Sequence, residues 1–599
     1  MPSFHNIKHN SVDSVLGGDG VWRSNDLTGT FDTLAWSYSV SNNHTRAGFL
    51  QFKTSRVEMS DIGTAKIYIE RVGGFSGAVG CTVKTNSTVG DMSMTSGTDF
   101  IAISEEVSFA DNEAGVKSVT VSVTNKPRSG LNIIVLTMDT ATGGVTLRNP
   151  EMHIYLDDGG VNPNATIITA GGTIQSTFNA GSSGDLFYLR GGTYTDNTRT
   201  SGQDHGGYYL STSGTQFAKK VISAYPSETP IIDQNYDETS DSLGLRTTVG
   251  FLLNCAHVHI KGIEIKKTLW CGIVTNGGGS IGDGIVVEDC HIHDIGNPPS
   301  SAAAYNGDLT RADNIGGTSL DGSTKAIQRF NTIHNIYDLR VGTGTSNPFD
   351  AYAASMHSGI HGFDLTEAWI HNNDIYQVSK GVFQKNPSQS TGIGHRVHNN
   401  DIREVSEFAT SFQVAGSGQI GALDVHVYNN LFELTHAGSA TANGVNVDML
   451  DSDTTNQPSD FWIWNNTQID GAELYAQGDV ADVVVFNNIL QNASATISIG
   501  PIADGNTLNY CDYNCYNSGV FRVLTDRYGT TNTYSTLTTW RAAYPTDVQL
   551  LTAPDGNTIT TAPTFINSGA RDYTTSSGVS VGTGRFNRDI GIGLEVVGV

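Results

Sequence analysis

The chain has 599 residues, of which 38% are hydrophobic, only 16% are charged and 68 are glycine. That length allows a large core and several domains, and the glycine-rich, charge-poor balance suits an all-β protein dense in turns. The net charge of −25 (34 basic against 59 acidic residues) argues against a nucleic-acid partner, and the sequence holds no apolar run long enough to insert in a membrane as a helix.

Residues 1–55 are polar, with Trp22, Phe31, Trp36 and Tyr38 in short alternating runs around Gly17-Gly-Asp-Gly20. They predict a small β element; in a spike-like protein it would be the attachment end, a placement by analogy alone. The first residues, Met1-Pro-Ser-Phe-His-Asn-Ile-Lys-His9, lack the apolar stretch of a secretory signal. Two expectations stay open here: a secreted protein whose leader was removed, or a virion protein released by lysis. Cysteines at 81, 255, 271, 290, 511 and 515 show no zinc-site spacing, and a chain of this size needs no disulfide framework, so buried thiols are expected.

From 56 to 160 the pattern is strict alternation, as in Ala65-Lys-Ile-Tyr-Ile-Glu70, Lys117-Ser-Val-Thr-Val-Ser-Val123 and Glu151-Met-His-Ile-Tyr-Leu156. Such runs, with turn signals between them, predict a β-sandwich. This stretch resembles the Calx-beta family. The matching pieces are Val57-Glu58 with Asp61-Ile-Gly63, Glu70-Arg-Val-Gly-Gly74, Ser96-Gly-Thr-Asp-Phe100, Val107-Ser-Phe109 before Val119-Thr-Val121, and Asp157-Asp158. The resemblance implies that loop carboxylates at one end of the sandwich bind Ca²⁺, with Glu58, Asp99, Asp157, Asp158 and also Asp61 as candidate ligands. Hard oxygen donors suit that ion; taken alone, the same acids serve equally well as turn and cap residues.

Residues 161–520 carry a repeat. The run from Gly171-Gly-Thr-Ile-Gln175 to Gly184-Asp-Leu-Phe-Tyr-Leu-Arg-Gly-Gly-Thr-Tyr194 is followed by Val221-Ile-Ser-Ala-Tyr225 and His257-Val-His-Ile-Lys-Gly-Ile-Glu-Ile265. These segments resemble the first coils of the pectin-lyase-like superfamily, which implies a right-handed, single-stranded parallel β-helix. Further on, one phrase returns as Trp369-Ile-His-Asn-Asn-Asp-Ile375, Arg396-Val-His-Asn-Asn-Asp-Ile402, His426-Val-Tyr-Asn-Asn-Leu-Phe432, Trp462-Ile-Trp-Asn-Asn-Thr-Gln468 and Val484-Val-Phe-Asn-Asn-Ile-Leu490. Aligned on its second Asn, the row is Cys290, Asn331, Asn373, Asn400, Asn430, Asn466 and Asn488, at intervals of 41, 42, 27, 30, 36 and 22 residues. Repeats of that size signal a solenoid whose units cannot bury their apolar faces alone. Stacked about 4.8 Å apart, such asparagines can bond amide to carbonyl from coil to coil, and Asn tolerates a left-handed bend.

The residues three before these asparagines, Ile370, Val397, Val427, Ile463 and Val485, must then point inward, and alternation turns their neighbours outward. The outward set is Trp369, His371, Arg396, His398, His426, Tyr428, Trp462, Trp464, Val484 and Phe486, a strip of rings along one sheet. Three readings stand: a stacking platform for sugars, a face covered by a long loop, or a contact between subunits of a homotrimer, with the last two favoured over sugar binding.

Chemistry is expected in the loops that make two intervals long, Gly296 to Thr324 and Leu339 to His361, which follow the same strand and predict one wall of a groove. Candidates there and just beyond are Asp308, Arg311, Asp313, Asp321, Asp350, His357, His361, Asp364, Lys380 and Lys385. A uronate lyase needs a base and cations, for which Lys385, His357 and His361 are available; a glycosidase needs two carboxylates, which Asp313, Asp321, Asp350 and Asp364 can supply. Taken singly, each is an ordinary loop charge. The tail, 521–599, with Leu537-Thr-Thr-Trp540, Pro563-Thr-Phe565 and Asp589-Ile-Gly591, resembles the closing segment of secreted bacterial β-helix proteins and would cover the last coil. The favoured reading is a bacteriophage spike or decoration protein, in contact with capsid or tail proteins and engaging cell-surface polysaccharide. The alternatives are a secreted polysaccharide lyase or hydrolase with a Calx-beta module, and a non-catalytic adhesin.

Overall fold

The computed structural model describes residues 47–72, 75–113, 115–148, 150–196, 206–235, 248–275, 281–296, 315–336, 357–387, 394–414, 424–434, 443–449, 461–471, 474–478, 483–486 and 488–491, with shorter pieces at 14–16, 22–24, 497–499, 508–512, 514–516, 521–524, 531–536, 538–539, 564–567 and 572–577. Within them the protein is a β-sandwich followed by a long parallel β-helix. The sandwich pairs a four-stranded sheet with a five-stranded one around Phe52, Ile67, Val83, Phe100, Val121 and Leu136. It starts earlier than the alternation suggests. Phe49–Phe52 pairs antiparallel with Gly63–Val72 and parallel with Thr146–Arg148, so this strand belongs to the sandwich, not to the element before it.

Each full coil of the solenoid carries up to three strands. Those of the first sheet run from Thr166–Ile168 through Ala368–His371 and His395–His398 to Leu508–Asp512, twelve in all. A bend leads to the second sheet, whose strands include His291–Ile295 and Thr332–Ile336. Another bend leads to the third, which includes Gly316–Asp321 and Ser358–Phe363. Two long strands, Asp374–Lys385 and Asp401–Val414, run on without a break from second sheet to third. The helix Ile174–Ala180, which the sequence reading did not anticipate, buries Ile174 and Phe178 in the solenoid core beside its first coils. These two apolar residues at helical spacing were its signal.

The asparagine row is continuous. Asn373 donates its backbone N–H and one side-chain hydrogen to Asn400 Oδ1, at 3.0 and 2.9 Å. Its other side-chain hydrogen goes to the Gln328 carbonyl at 3.0 Å. The same three bonds repeat at Asn400, Asn430, Asn466 and Asn488, the last reaching one rung further, to Asn514. At the other end the Cys290 N–H donates to Asn331 Oδ1, and its thiol leans on the Ile260 carbonyl in place of an amide. The left-handed backbone falls to the residue before: Asp289, Phe330, Asn372, Asn399, Asn429 and Asn465 have φ of 53–59°. The two asparagines of each pair therefore divide the work, one turning the chain and the other tying the coils.

A second column, of glycines, shapes the bend between the second and third sheets. Gly250, Gly272, Gly317, Gly359 and Gly381 stack in register on the third sheet. A Cβ on Gly359 would lie 2.5 Å from the Ile375 Cγ2 and 2.9 Å from the Gly381 carbonyl oxygen. The isoleucines of the second sheet (Ile265, Ile292, Ile333, Ile375 and Ile402) thus fill the space that side chains there would need. Among the described cysteines, 81, 255, 271 and 290 are buried and form no disulfide.

Replacing Asn400 by Ala removes the Oδ1 that accepts both the backbone N–H and a side-chain hydrogen of Asn373, and leaves the Ile370 carbonyl without its amide donor, all in a buried site. Orphaned buried polar groups make this cost about 2–4 kcal/mol. Denaturant unfolding checks it; a loss under about 0.5 kcal/mol would mean the rung is dispensable.

Candidate functional site

The ring strip exists, but it does not face solvent. His371, His398, Tyr428 and Trp464 stack face to face at centroid spacings of 4.8, 4.7 and 4.4 Å, while His426 stacks on Trp462. Trp369 is only 1% exposed, Arg396 0% and His398 3%. The cover is the protein's own sandwich, laid along the first sheet. Trp369 joins the sandwich core, Ser55 Oγ meets His371 Nε2 at 2.8 Å, and Phe49 sets its ring edge against His426. Arg148 reaches Asp424, and Glu151 takes bonds from Gln216 and Lys219. Backbone meets backbone at Gly90 and Gly184, where a Cβ on either would collide with the other. Tyr428, Trp462, Trp464 and Val484 form a further buried cluster; the side chain of Phe486 lies outside the described residues. Alternation placed the rings on the outer side, but could not show that a domain more than two hundred residues upstream packs there.

Charge reinforces that seam. Glu288, fully buried on the first sheet, accepts from Arg56 of the sandwich at 3.0 Å, from Lys261 at 3.0 Å and from Arg329 at 2.7 Å. Three cations outweigh desolvation and hold its carboxyl well below the usual range. Arg56 also lies 4.3 Å over the Phe330 ring, which accounts for a phenylalanine at a left-handed position where other coils use Asn or Asp.

The expected calcium ligands are not brought together. Asp99 accepts from the Thr95 N–H and Asn125 Nδ2, Asp157 from the Gly159 N–H, Asp61 from the Ile62 N–H, and Glu58 pairs with Arg56. Asp158 is bonded to Lys126 and to the Gly130 and Gly160 N–H groups, which hold its carboxyl below the ordinary range. No three of these acids, all described, come close enough to share a cation. They serve as turn and cap residues, and Lys126 supplies the positive charge at the Asp158 corner.

On the third sheet the structure does gather candidates. Asp321, Phe363, Lys385 and Gln413 are in register near the ends of successive strands, and Asp364 follows Phe363 at a left-handed bend. Ser319 Oγ sits 3.1 Å from Asp321 Oδ1 and 2.9 Å from His361 Nδ1. The consistent assignment has His361 donating to Ser319 and Ser319 donating to Asp321. His361 is fully buried and its pKa falls to about 3, so it stays neutral. Burial pushes the Asp321 carboxyl up to about 6, opposed by the Ser319 bond and aided by the charge of Asp364. Asp364 is itself raised by burial, with Lys385 pulling the other way, and its Oδ1 is buried without a hydrogen-bond partner among the described residues. The Asp364 N–H donates to the Lys385 carbonyl at 3.0 Å.

His357 does not join this group. It lies at the other end of the strand Ser358–Phe363, near Lys380, whose N–H donates to its carbonyl and whose ammonium pairs with Glu407 at 3.3 Å. The two long insertions join the third sheet at that same end, just before Gly316–Asp321 and Ser358–Phe363, and the wall expected from them lies outside the described residues. Asp308, Arg311, Asp313 and Asp350 lie outside the described residues. Ser319, the link between Asp321 and His361, was missed. Only the pairing of Ser319 with His361 exposes it, and that register is not readable across an interval of 42 residues.

No protein-family model and no curated protein matches the sequence. Among solved structures, the apo Calx CBD1 domain matches at 18% identity over 18% of this chain and 98% of its own, with a TM-score of 0.17. Pectate lyase Pel9A matches at 13% identity over 56% of this chain and 77% of its own, with a TM-score of 0.32. PfbA, a surface adhesin of Streptococcus pneumoniae, matches at 12% over 59% and 85%, with a TM-score of 0.34. These likenesses are ones of fold.

Two outcomes follow from the geometry. Trp369→Ala empties the seam between sandwich and solenoid and is expected to cost about 3–5 kcal/mol and to quicken proteolysis between 157 and 166; unchanged denaturation and cleavage would contradict the docking. Asp321→Asn removes a carboxylate that the fold prefers protonated. The folded pKa is raised, so the wild type loses stability as pH rises from about 4 through about 6. The variant is therefore expected to be more stable by about 1–3 kcal/mol at pH 7.5, with the difference gone near pH 4; thermal melts at both values check the sign.

Proposed function

We propose that the protein processes a polysaccharide by glycosidic hydrolysis on its third sheet, with Asp321 as proton donor and Asp364 as the ionised partner. The observation that carries this reading is the pair itself: two carboxyls on adjacent coils, one raised to about 6 and relayed through Ser319 to a neutral His361. A general acid needs a pKa near the working pH, and hydrolysis of a glycosidic bond needs two carboxyls in different protonation states. Lys385 beside them supplies a cation for an acidic sugar or steadies the Asp364 carboxylate. A rigid solenoid face with a carboxylate pair suits an extended, repeating substrate that lies across several coils.

In the virion-spike reading the ring strip bore on the homotrimer alone, as one possible contact between copies. The sandwich occupies much of that strip, so the strip no longer speaks for a trimer. What supports polysaccharide as the partner is the site chemistry on the third sheet.

Incubation with a panel of neutral and acidic polysaccharides, followed by reducing-end assay and ultraviolet absorbance for unsaturated uronides, tests the reading. New reducing ends without unsaturation are expected, falling as pH rises through about 6 and reduced at least about 100-fold in Asp321→Asn and Asp364→Asn. Unsaturated products would replace hydrolysis by elimination, with Lys385 as the base. Retention of a polysaccharide without any cleavage would leave a binding protein.

A further inference from the structure

A separate cluster lies on the second sheet, away from the carboxylate pair. His291 and His293 sit on one strand and His334 on the next, in register with His293. Their rings crowd together: centroids are 4.2 Å apart for His291 and His293, 5.0 Å for His291 and His334, and 5.1 Å for His293 and His334. His291 Nε2 and His334 Nε2 are 2.8 Å apart, and one nitrogen of each of the three rings falls within 4.8 Å of the others. Among the described residues this is the one group of His, Cys, Asp or Glu side chains so placed.

We infer that His291, His293 and His334 bind a borderline transition-metal dication of the Zn²⁺ class, which staples two consecutive coils. Imidazole suits such ions, while Ca²⁺ and Mg²⁺ take oxygen donors. The surroundings favour nitrogen ligation. Asp294 Oδ2 lies 2.9 Å from His293 Nδ1 and takes the N–H there, which leaves Nε2 as the ring's lone pair. Asn335 Nδ2 in turn donates to Asp294 Oδ1 at 2.9 Å, fixing that carboxylate. Glu264 Oε1, which also accepts from Lys266 Nζ at 2.8 Å, lies 3.3 Å from His293 Nε2 as a further oxygen donor. On the far side His334 stacks on Tyr376 at 4.6 Å, and Arg403 covers Tyr376 at 4.2 Å, which locks the ring's orientation. Three imidazoles leave a fourth position toward solvent, since His291 and His334 are only partly buried.

The placement gives the staple a purpose. The chain leaves the second sheet for its two long insertions directly after His291–Ile295 and Thr332–Ile336. A metal bridging those two strands would fix the coils at the point where both insertions depart.

The test is titration of the full chain, without a polyhistidine tag, with Co²⁺ as a spectroscopic probe and Zn²⁺ as competitor. One equivalent of Co²⁺ is expected to give visible d–d bands that Zn²⁺ removes and that Ca²⁺ and Mg²⁺ do not. The bands should be lost in His334→Ala and in His291→Gln, and Co²⁺ affinity should weaken about 10- to 100-fold in Asp294→Asn. Circular dichroism and melting without metal verify that the variants fold, and Zn²⁺ should raise the melting temperature of the wild type but not of His334→Ala. No bands in the wild type, or equal bands in the folded His334→Ala and His291→Gln variants, would overturn the assignment.

Discussion

The solenoid depends on one hydrogen-bond arrangement repeated from coil to coil. Each ladder asparagine spends both amide hydrogens and its oxygen on neighbouring coils, so that bend leaves no ladder side-chain atom unpartnered from Asn331 to Asn488. The arrangement is directional. Fixing the second asparagine of each pair fixes which residue before it enters the core and which flank it outside. Slipping one coil by a residue would break the rung and turn its apolar residue outward together. The glycine column works at the next bend in the opposite way, by what it leaves out: isoleucines of one sheet occupy the space that side chains of the next would fill.

That register has a consequence for the sandwich. Because the outer residues of the first sheet include stacked rings and buried arginines, the face needs a cover. The sandwich provides one, with Glu288 neutralising cations from both sides of the seam. Pairs of this kind add little net stability over apolar contact but penalise misplacement heavily, so the seam fixes where the domain sits as well as holding it there.

The sequence made the architecture legible because its signals are local and repeated. Five Asn-Asn pairs at variable spacing announce a solenoid, and strict alternation announces a sandwich. The left-handed position was legible only in part: Asn suits both roles, and only coordinates assign the first of each pair to the bend. The site was less legible. Asp321, His361, Asp364 and Lys385 could be named as available charges, but their company depends on strand register across intervals of tens of residues. Ser319, an ordinary residue in a strand, carries no sequence signal at all. The expected calcium ligands rested on the resemblance of short segments, which does not tell whether their oxygens converge; Lys126 stands beside Asp158 instead. The direction of the ring strip was legible and a cover was the favoured expectation, but alternation reports the side of a sheet and not what lies on it, so the sandwich as that cover was not legible.

Native-state hydrogen exchange at the ladder amides probes the organising interaction directly. The backbone N–H groups of Asn331, Asn373, Asn400, Asn430 and Asn466 each donate to the next ladder oxygen and should exchange together, among the slowest in the chain. Exchange of these amides at the rate of exposed turns, or rung by rung without common protection, would contradict a continuous ladder.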